Sequence, residues 1–365
     1  MGEWVTTEIV GRVGCITLNR PHALNALNLA MVRDLTAILL QWQSDEAVGC
    51  VAIRGRNRHG PFGAFCAGGD IRFFHQAALA GNPALEDFFT EEYTLNHLIH
   101  NYSKPYIAFM DGIIMGGGMG ISQGASHRLV TAHTKMAMPE TIIGLFPDVG
   151  GGYFLSRCPG RIGEWLALTG EMMDGAAAVA VGLADTYVDA AQLSTAWEAL
   201  GSLSSHDTQS IDAWLATFSI AAPVHSVRAT AQIDPYFEHD SVAQIVQALE
   251  ADADAWAQAT AATLRKRSPL MLHVVLEQIR RARGMSLADD LRMERTLVRH
   301  CFFNTLLERS GIHSETVEGI RALAVDKDNA PQWNPANVED VTEAMVASFF
   351  EPAWPDNVHP LAALK

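Results

Sequence analysis

The chain has 365 residues, of which 48% are hydrophobic and 18% are charged, so it can form a dense core and gives no sign of general disorder. This length predicts one large domain with a substantial extension, or two domains. The formal net charge of −15 repels phosphate backbones and argues against a general role in nucleic-acid binding, although a local basic patch can still bind a phosphate-bearing small ligand.

Strands alternate with helices in the first half of the chain. Val5–Val10 and Val13–Leu18 predict a strand pair on either side of Gly11. Asn28 is the predicted N-cap of a helix whose apolar residues recur at helical spacing. Further along, the pattern predicts a strand at 51–54, a helix at 84–102, a strand at 106–110, a helix at 115–124, strands at 129–131 and 135–137, and helices at 161–169 and 176–181. This alternation predicts an α/β fold with parallel strands joined by right-handed crossovers.

The second half of the chain has a different composition. After about residue 190 glycine becomes rarer and alanine-rich amphipathic stretches follow one another, which predicts an all-helical region. The predicted helical stretches are 192–203, 208–216, 240–263, 269–283 and 286–308. We therefore divide the chain into a core at 1–190, which contains the predicted site, and a helical C-terminal region at 191–365.

The cysteines and the apolar runs indicate the compartment. The five cysteines are odd in number and lack a CxxC pair, and the histidines lack HExxH spacing, so neither a disulfide framework nor a metal site is predicted. The N-terminus carries no signal-peptide pattern, and the most apolar run, at 107–121, is broken by Asp111 and by glycines. These features predict a soluble cytoplasmic protein without a membrane helix.

Two glycine-rich segments, at 65–71 and 111–120, each follow a predicted strand and open a helix. Glycines allow a ligand to approach the main chain closely, and the first N–H groups of a helix are free to bind an anion. Neither segment matches a nucleotide-phosphate fingerprint. Asp70 can cap the helix that follows the first segment. Two interpretations of the segments stay open: tight strand-to-helix turns, or a pair of N–H donors for one oxyanion. The basic run just before them is either a solvated loop or a handle for an anionic ligand; it consists of Arg54, Arg56, Arg58 and His59.

A third segment, at 137–153, carries two carboxylates in apolar, glycine-rich surroundings. Burial of Glu140 and Asp148 would raise their pKa values and suit them to acid–base chemistry. The alternative is that each simply caps a helix. A further pair, Glu91 and Glu92, lies on the helix before this segment and is, from the sequence alone, either a solvated helix face or part of the site.

Together with residues 16–21 and 24–28, these three segments resemble the crotonase superfamily, also called the enoyl-CoA hydratase/isomerase family, as far as about residue 188. The resemblance implies a spiral of ββα units that binds an acyl-CoA thioester and assembles as trimers or hexamers. It places Gly69 and Gly117 at the two positions whose N–H groups hold the thioester oxygen. Ala26, Ala67 and Ile71 match the stretches that line the CoA path, and Gly68 and Asp70 are also predicted to bind substrate.

One position departs from the hydratases of this superfamily. Hydratases carry two catalytic glutamates; the second matches Glu140, but the first falls on Gly120, which has no side chain. A closer resemblance is to the family of 3-hydroxyisobutyryl-CoA hydrolases, and it covers nearly the whole chain. It rests on the three segments and on C-terminal motifs that ordinary hydratases lack, at 268–269, 293–294, 318–322, 326–328 and 331–333. In that family the residues that contact substrate match Glu92, Gly117, Glu140 and Asp148.

The resemblance implies hydrolysis of 3-hydroxyisobutyryl-CoA to 3-hydroxyisobutyrate and CoA in valine degradation, without a metal or redox cofactor, because CoA is part of the substrate. Glu140 is expected either to activate water or to attack the carbonyl, and the sequence leaves both open. Asp148 is expected to orient Glu140 or water or to bind the substrate hydroxyl, and Glu92 to bind that hydroxyl or tune Glu140. Two alternatives remain, an enoyl-CoA hydratase or isomerase and a non-catalytic acyl-CoA-binding protein.

Overall fold

The computed structural model describes residues 2–223 and 230–365. In chain order the strands are β1 Val5–Val10, β2 Val13–Leu18, β3 Cys50–Gly55, β4 Tyr106–Met110, β5 Ile113–Met115, β6 His127–Val130, β7 Lys135–Ala137, β8 Met173–Asp174, β9 Thr186–Tyr187, β10 Phe303–Asn304 and β11 Arg309–Ser310. The helices are α1 Leu29–Ser44, α2 Ile71–Ala80, α3 Ala84–His100, α4 Gly117–Gln123, α5 Gly151–Leu155, α6 Ile162–Thr169, α7 Gly175–Ala180, α8 Leu193–Leu200, α9 Thr208–Phe218, α10 Thr230–Phe237, α11 Val242–Ala251, α12 Ala255–Leu264, α13 Pro269–Ala282, α14 Leu287–Phe302, α15 Glu315–Ile320 and α16 Glu343–Phe350.

The described residues form two compact units, and each unit draws on three separate stretches of the chain. The first unit contains residues 2–69, 94–137 and 172–223, and the second contains 70–93, 138–171 and 230–365. The chain therefore passes between the units several times. The division into 1–190 and 191–365, which follows composition, stays a prediction.

The first unit is built on a six-stranded sheet in the order β1-β2-β3-β4-β6-β9. β1 pairs with β2 in antiparallel fashion, and every other neighbouring pair in this sheet is parallel. A second sheet, in the order β5-β7-β8, lies in the same unit. The predicted α/β organisation with parallel strands is confirmed. The strands of this unit that were not predicted, β5, β8 and β9, have only two or three residues, too few for a period-2 pattern to show.

Helices α8 and α9 complete the core of the first unit. Their residues Trp197 and Trp214 pack in a cluster with sheet residues that share one face because side chains alternate along a strand. The sheet residues of this cluster include Val13 and Cys15 of β2, Cys50 and Ala52 of β3, and Ile107 and Phe109 of β4. The first helices after residue 190 thus cover the sheet of the first unit.

Where the structure describes it, the chain after about residue 190 is mainly helical, as predicted, with two corrections. The predicted helix at 240–263 is two helices, α11 and α12, because the Asp254 side chain accepts N–H groups of Trp256 and Ala257 and starts a new helix. The predicted helix at 286–308 ends at Phe302, and β10 and β11 then form an antiparallel pair. The C-terminal region is therefore not entirely helical.

Two local predictions and two chain-wide ones can be compared with the structure. Asn28 caps α1 by accepting the Met31 N–H, and Asp70 caps α2 by accepting the Phe73 N–H, as predicted. All five cysteines are buried and none forms a disulfide. Across residues 2–223 and 230–365, no helix has both the length and the apolar character needed to cross a bilayer.

Candidate active site

In the first unit, the loop that contains Ala26 lies along the first glycine-rich segment. The Ala67 N–H donates to the Leu24 carbonyl oxygen at 3.0 Å, and the Leu27 N–H donates to the Gly68 carbonyl oxygen at 2.7 Å. These two bonds hold the loop and the segment side by side. The structure thus brings together three of the residues predicted to bind substrate, Ala26, Ala67 and Gly68.

Asn25 holds this loop in place. Leu24 and Asn25 have φ values of 50° and 58°, a left-handed conformation in which asparagine is tolerated better than most residues. The Asn25 side chain is buried and donates to the carbonyl oxygens of Ala64 at 2.6 Å and Arg56 at 3.0 Å. It also accepts the N–H of Arg20 at 2.7 Å. These contacts explain why an asparagine stands inside the motif at 24–28.

The first and second glycine-rich segments are neighbours. The Cys66 N–H donates to the Ile113 carbonyl oxygen at 2.9 Å, and the Met115 N–H donates to the Cys66 carbonyl oxygen at 3.0 Å. Gly68 has φ of 103°, which excludes most side chains, and a Cβ placed there would lie 3.7 Å from the Gly117 nitrogen. Glycine at position 68 therefore allows the two segments to approach each other.

Gly69 and Gly117 both offer a backbone N–H in this region. Gly117 is the first residue of α4, where a backbone N–H has no partner within the helix. Among the described residues, neither N–H takes part in the turn and loop hydrogen bonds. Two such donors on neighbouring segments suit the binding of one negatively charged oxygen. Their assignment to a thioester oxygen stays a prediction.

Asp70 and Ile71, the other two of these predicted substrate-binding residues, stand at the start of α2 in the second unit. The Asp70 carboxylate accepts the Phe73 N–H at 3.3 Å, so capping is one role it fills. Ile71 is the first residue of the helix and is half-buried. A role for either residue in binding substrate stays a prediction.

The second unit buries the three predicted carboxylates. Glu92 lies on α3, Glu140 opens the short turn Glu140–Ile143, and Asp148 lies in the loop before α5; they are 2%, 7% and 6% exposed. Burial and the nearby Asp148 raise the pKa of Glu140 well above its usual range. Burial, Asp148 and Glu140 do the same to the pKa of Glu92. The three groups therefore form one buried cluster of like charges, which we call the carboxylate cluster.

Tyr93 hydrogen-bonds to Asp148. Its hydroxyl donates to Asp148 Oδ2 at 2.9 Å. Burial raises the pKa of Asp148 to about 7, while the bond from Tyr93 acts in the opposite direction. Burial and Asp148 raise the pKa of the Tyr93 phenol, so this residue remains a donor at neutral pH. Sequence reasoning missed Tyr93, although it directly follows Glu92.

The capping alternatives for these carboxylates are wrong. The N-cap of α5 is Gly150, which carries no capping side chain, and the Asp148 side chain bonds to Tyr93 instead. The N-cap of the turn Glu140–Ile143 is Pro139, so Glu140 is not a cap either. Glu140 Oε2 and Glu92 Oε1 are buried and find no hydrogen-bond partner in the part of the chain that the structure describes. Each of these two carboxyl groups thus has an oxygen available to substrate or water.

The neighbouring pair Glu91 and Glu92 separates into two roles. Glu92 is buried, so the solvated-face interpretation is wrong for it, whereas Glu91 is partly exposed. Helical spacing explains why Glu92 and not Glu91 is buried, because Glu92 lies four residues after the buried Phe88 and therefore on the same face of α3. Glu91 lies off that stripe and serves as a natural comparison for Glu92.

The C-terminal half holds the turn that carries Glu140. The Thr316 hydroxyl of α15 donates to the Gly144 carbonyl oxygen at 2.6 Å, and the Ser268 N–H donates to the Thr141 carbonyl oxygen at 3.3 Å. Both Thr316 and Ser268 are fully buried. Within the second unit, therefore, the C-terminal region packs on its own carboxylate-bearing segment.

A comparison with known proteins identifies the family. The model of a family described as Enoyl-CoA hydratase/isomerase matches residues 13–350. The chain belongs to the enoyl-CoA hydratase/isomerase family. The match covers both halves of the sequence, so the C-terminal region belongs to the family pattern as well as the three glycine-rich segments.

Individual family members resemble the chain over almost its entire length. It is 39% identical over 355 residues to a Danio rerio protein named 3-hydroxyisobutyryl-CoA hydrolase, mitochondrial; the alignment covers 96% of this chain and 90% of that protein. Identity to 3-hydroxyisobutyryl-CoA hydrolase 1 of Arabidopsis thaliana is 37% over 355 residues, covering 95% and 91%. The predicted resemblance to this hydrolase family is confirmed.

A solved structure of the family confirms the predicted crotonase-like fold. The crystal structure of a carnitinyl-CoA dehydratase from Mycobacterium thermoresistibile superposes with a TM-score of 0.86 at 38% identity. The superposition covers 97% of this chain and 98% of that one. The helical C-terminal region is thus part of a fold already seen in this family.

Gly120 is the residue that the sequence resemblance matches to the first catalytic glutamate of hydratases, and this match stays a prediction. It lies in α4, where its N–H donates to the Gly116 carbonyl oxygen at 3.1 Å, and it is buried. Without a side chain it supplies no carboxylate. The buried carboxylates of the predicted site are those of the cluster in the second unit.

Proposed function

We propose that this chain hydrolyses the thioester of a short-chain hydroxyacyl-CoA, with 3-hydroxyisobutyryl-CoA as the substrate. The observation that carries the proposal is the buried carboxylate cluster of Glu92, Glu140 and Asp148, in which Glu140 retains an oxygen without a partner among the described residues. The names of the relatives from Danio rerio and Arabidopsis thaliana support the same reaction. Gly120, which lacks a carboxylate, supports hydrolysis over two-glutamate hydration.

The proposed chemistry adds water across the thioester and releases CoA. The N–H groups of Gly69 and Gly117 are assigned to the carbonyl oxygen, which becomes negative as the carbonyl carbon is attacked; one such donor typically contributes about 2.7–4 kcal/mol. Glu140 either takes a proton from the attacking water or attacks the carbon itself, giving an anhydride that water then opens. In both routes the C–S bond breaks, and the thiolate takes up a proton to leave as free thiol.

The charge state of the cluster assigns different roles to its members. Burial raises the pKa of all three carboxyl groups, Asp148 raises those of Glu92 and Glu140 further, and Glu140 raises that of Glu92, so simultaneous ionisation of all three is disfavoured. The ionised member accepts a proton, and a protonated member donates a hydrogen bond, for example to the hydroxyl of the acyl group. Attack by either route needs Glu140 in its ionised form, although burial and Asp148 raise its pKa, and Glu92 is assigned the protonated role.

The test is thiol release from 3-hydroxyisobutyryl-CoA, run beside hydration of crotonyl-CoA. Glu140→Gln is expected to lower thiol release by roughly 10²–10⁴-fold, because a general acid–base group contributes about that much. Binding of the CoA thioester should persist. Glu91→Gln is the matched control, because Glu91 lies on α3 next to Glu92 but is partly exposed. Efficient hydration without thiol release, or full activity of Glu140→Gln, would contradict the proposal.

A second candidate is a hydratase, dehydratase or isomerase reaction on an acyl-CoA. The similarity to the carnitinyl-CoA dehydratase structure favours it, and an isomerase needs only one base, which Glu140 could supply. Product analysis on enoyl-CoA substrates separates this candidate from hydrolysis. Stabilisation of the fold by acyl-CoA without any turnover would instead indicate a binding protein.

Several further points belong to the proposal. The reaction is placed in valine degradation and needs no metal or redox cofactor, which full activity after dialysis against a chelator would support.

The compartment is proposed to be the cytoplasm on cysteine content, although the Danio rerio relative is named mitochondrial; cell fractionation decides between them. A trimer or hexamer is expected from the family, and light scattering on the eluting protein tests it.

A further inference from the structure

Two carboxylates of α14 bind the backbone of the loop that follows Asp148. Glu294 Oε2 accepts the Gly150 N–H at 2.7 Å, and Glu294 Oε1 accepts the Gly152 N–H at 2.9 Å. Asp290 Oδ2 accepts the Tyr153 N–H at 2.8 Å. Both acids are fully buried. Three of the backbone donors around the start of α5, those of Gly150, Gly152 and Tyr153, are therefore satisfied by side chains about 140 residues further along the chain.

The glycines of this loop make the approach possible. A Cβ at Gly152 would overlap Asp290 Oδ1 and would lie 3.1 Å from the Ala282 Cβ. Any side chain at this position would push α14 away from the loop. The glycine-rich sequence after Asp148 is thus explained by the carboxylates that reach its backbone.

Gln278 of α13 binds the loop on the other side of Asp148. Its Nε2 donates to the Pro147 carbonyl oxygen at 2.7 Å and to Glu294 Oε1 at 3.2 Å. Gln278 is also fully buried. The backbone is therefore fixed immediately before Asp148 and two residues after it, by side chains that bond to each other.

Helix capping alone does not account for this arrangement. α5 has only five residues, and one exposed cap would satisfy its first N–H groups at little cost. Two buried acids are a costly alternative, because each is removed from water. Burial and Asp290 raise the pKa of Glu294, while the Gly150 and Gly152 N–H groups act in the opposite direction. The free-energy cost of burying these two acids indicates that the loop has to be held in a fixed conformation.

We propose that Glu294, with Gln278, is a positioning residue for Asp148: it fixes the backbone on both sides of Asp148 and so holds the Asp148 carboxylate in the carboxylate cluster. The inference rests on the proposed function, in which Asp148 is a member of the catalytic carboxylate cluster. Glu294 itself acts through the loop and not on the substrate. Released from these bonds, the loop would let Asp148 turn away, and misplacement of a catalytic group by about 1 Å can lower a rate roughly a hundredfold.

The surroundings of Asp148 define what a test must hold constant. The titratable groups that influence it or are influenced by it are Glu92 and Tyr93 on α3, Glu140 in its turn, and Glu294 and Cys301 on α14. Substitution of Glu294 changes a charge in this set, whereas substitution of Gln278 does not. Gln278→Met is therefore the charge-neutral way to release the loop, at nearly unchanged volume.

The kinetic experiment is a double-mutant cycle with Asp148→Asn. Glu294→Gln and Gln278→Met are each expected to lower kcat for thiol release by roughly ten- to a hundredfold with KM changed less than about threefold. In the Asp148→Asn background the same substitutions should lower kcat by less than about twofold, because the group they position is gone. Equal losses in both backgrounds would overturn the inference.

Glu164→Gln is the matched control. Glu164 is an equally buried glutamate of the second unit, but its carboxylate bonds to Arg161 at 2.9 Å and Arg283 at 2.7 Å instead of to the loop. This variant should lose stability while its effect on kcat is the same with and without Asp148. If Glu294→Gln does not fold, the double-mutant cycle is measured with Gln278→Met alone.

A second measurement separates this inference from the proposed function. The titration of Asp148, followed by ¹³C NMR with Asp148→Asn as the assignment control, should move in Gln278→Met from about 7 towards an ordinary carboxyl value, because a freed carboxylate gains water. An unchanged titration overturns the inference. If the unmodified chain releases no thiol from any short acyl-CoA, the proposed function fails, and this titration alone decides whether Gln278 and Glu294 position Asp148.

Discussion

Glycine serves opposite purposes in the two units. In the first unit, Gly69 and Gly117 present N–H groups that take no part in the turn and loop hydrogen bonds of the described residues. In the second unit, the N–H groups of Gly150 and Gly152 are both taken by the carboxylate of Glu294. The N–H groups of Gly69 and Gly117 thus stay outside these backbone bonds, whereas those of Gly150 and Gly152 bond to a side chain that fixes a loop. The comparison teaches that a glycine-rich segment reveals its role only through the partners of its N–H groups.

The largest expected effect tests the free donors. Gly117→Pro removes one N–H at the first position of α4, where proline fits a helix. Thiol release should fall by roughly 10²–10³-fold, because the negative oxygen loses a donor. The measurement is kcat with 3-hydroxyisobutyryl-CoA.

Gly117→Ala is the control for this prediction, because it adds a side chain but keeps the N–H. A loss in Gly117→Ala as large as that in Gly117→Pro would mean that space, and not the donor, matters at this position. Retained activity in both variants would remove Gly117 from the proposed mechanism.

The next effect tests the glycines whose N–H groups are occupied. Gly152→Ala places a Cβ against Asp290 Oδ1 and near the Ala282 Cβ, so it should destabilise the fold by about 1–3 kcal/mol. Gly284→Ala is the control, since no atom of the described residues lies within 4 Å of a Cβ built there. Denaturant unfolding of both variants gives the comparison, and equal stability would show that the loop adapts to a side chain.

The strands, helices and N-caps that depend on residues close together in the sequence were mostly predictable. Period-2 and helical patterns located β1, β2 and α1, and small polar residues located the caps Asn28 and Asp70, because such features depend on neighbouring residues. The burial of Glu92 was also within reach, from its spacing to Phe88.

Contacts between distant segments were not predictable in the same way. Nothing near Gly150 in the sequence indicates that Glu294 binds its N–H, because that contact depends on how α14 packs. The sequence shows only that Asp290 and Glu294 stand four residues apart among the buried residues of α14. Acids on the apolar face of an amphipathic helix are a signal that can be sought in other sequences.

A smaller effect concerns the bond that Tyr93 donates to Asp148. Tyr93→Phe removes a donor that stabilises the ionised form, so the pKa of Asp148 should rise further above about 7. The rise of kcat/KM with pH should shift to higher pH, with a loss of about three- to tenfold at pH 7, since one hydrogen bond contributes roughly 1 kcal/mol.

Tyr102→Phe is the control for the Tyr93 variant. The Tyr102 hydroxyl donates to the Leu39 carbonyl oxygen at 2.8 Å in the first unit, so its removal also costs one hydrogen bond but none at Asp148. A pH profile that is the same in both variants would show that Tyr93 does not set the ionisation of Asp148.

The smallest expected effect is a gain in stability that opposes function. Burial, Asp148 and Glu140 raise the pKa of Glu92 in the folded chain, so the folded state keeps a proton that the unfolded chain releases above about pH 4.3. The stability that this proton contributes is complete below the unfolded pKa and is lost as pH rises through the folded pKa. Glu92→Gln cannot titrate at this position. Its free energy of unfolding should therefore increase relative to that of the unmodified chain as pH rises from 5 to 8, by about 0.5–1 kcal/mol. Glu91→Gln should show no such pH-dependent gain, and a parallel pH dependence of Glu92→Gln and the unmodified chain would mean that Glu92 is ionised without penalty in the fold.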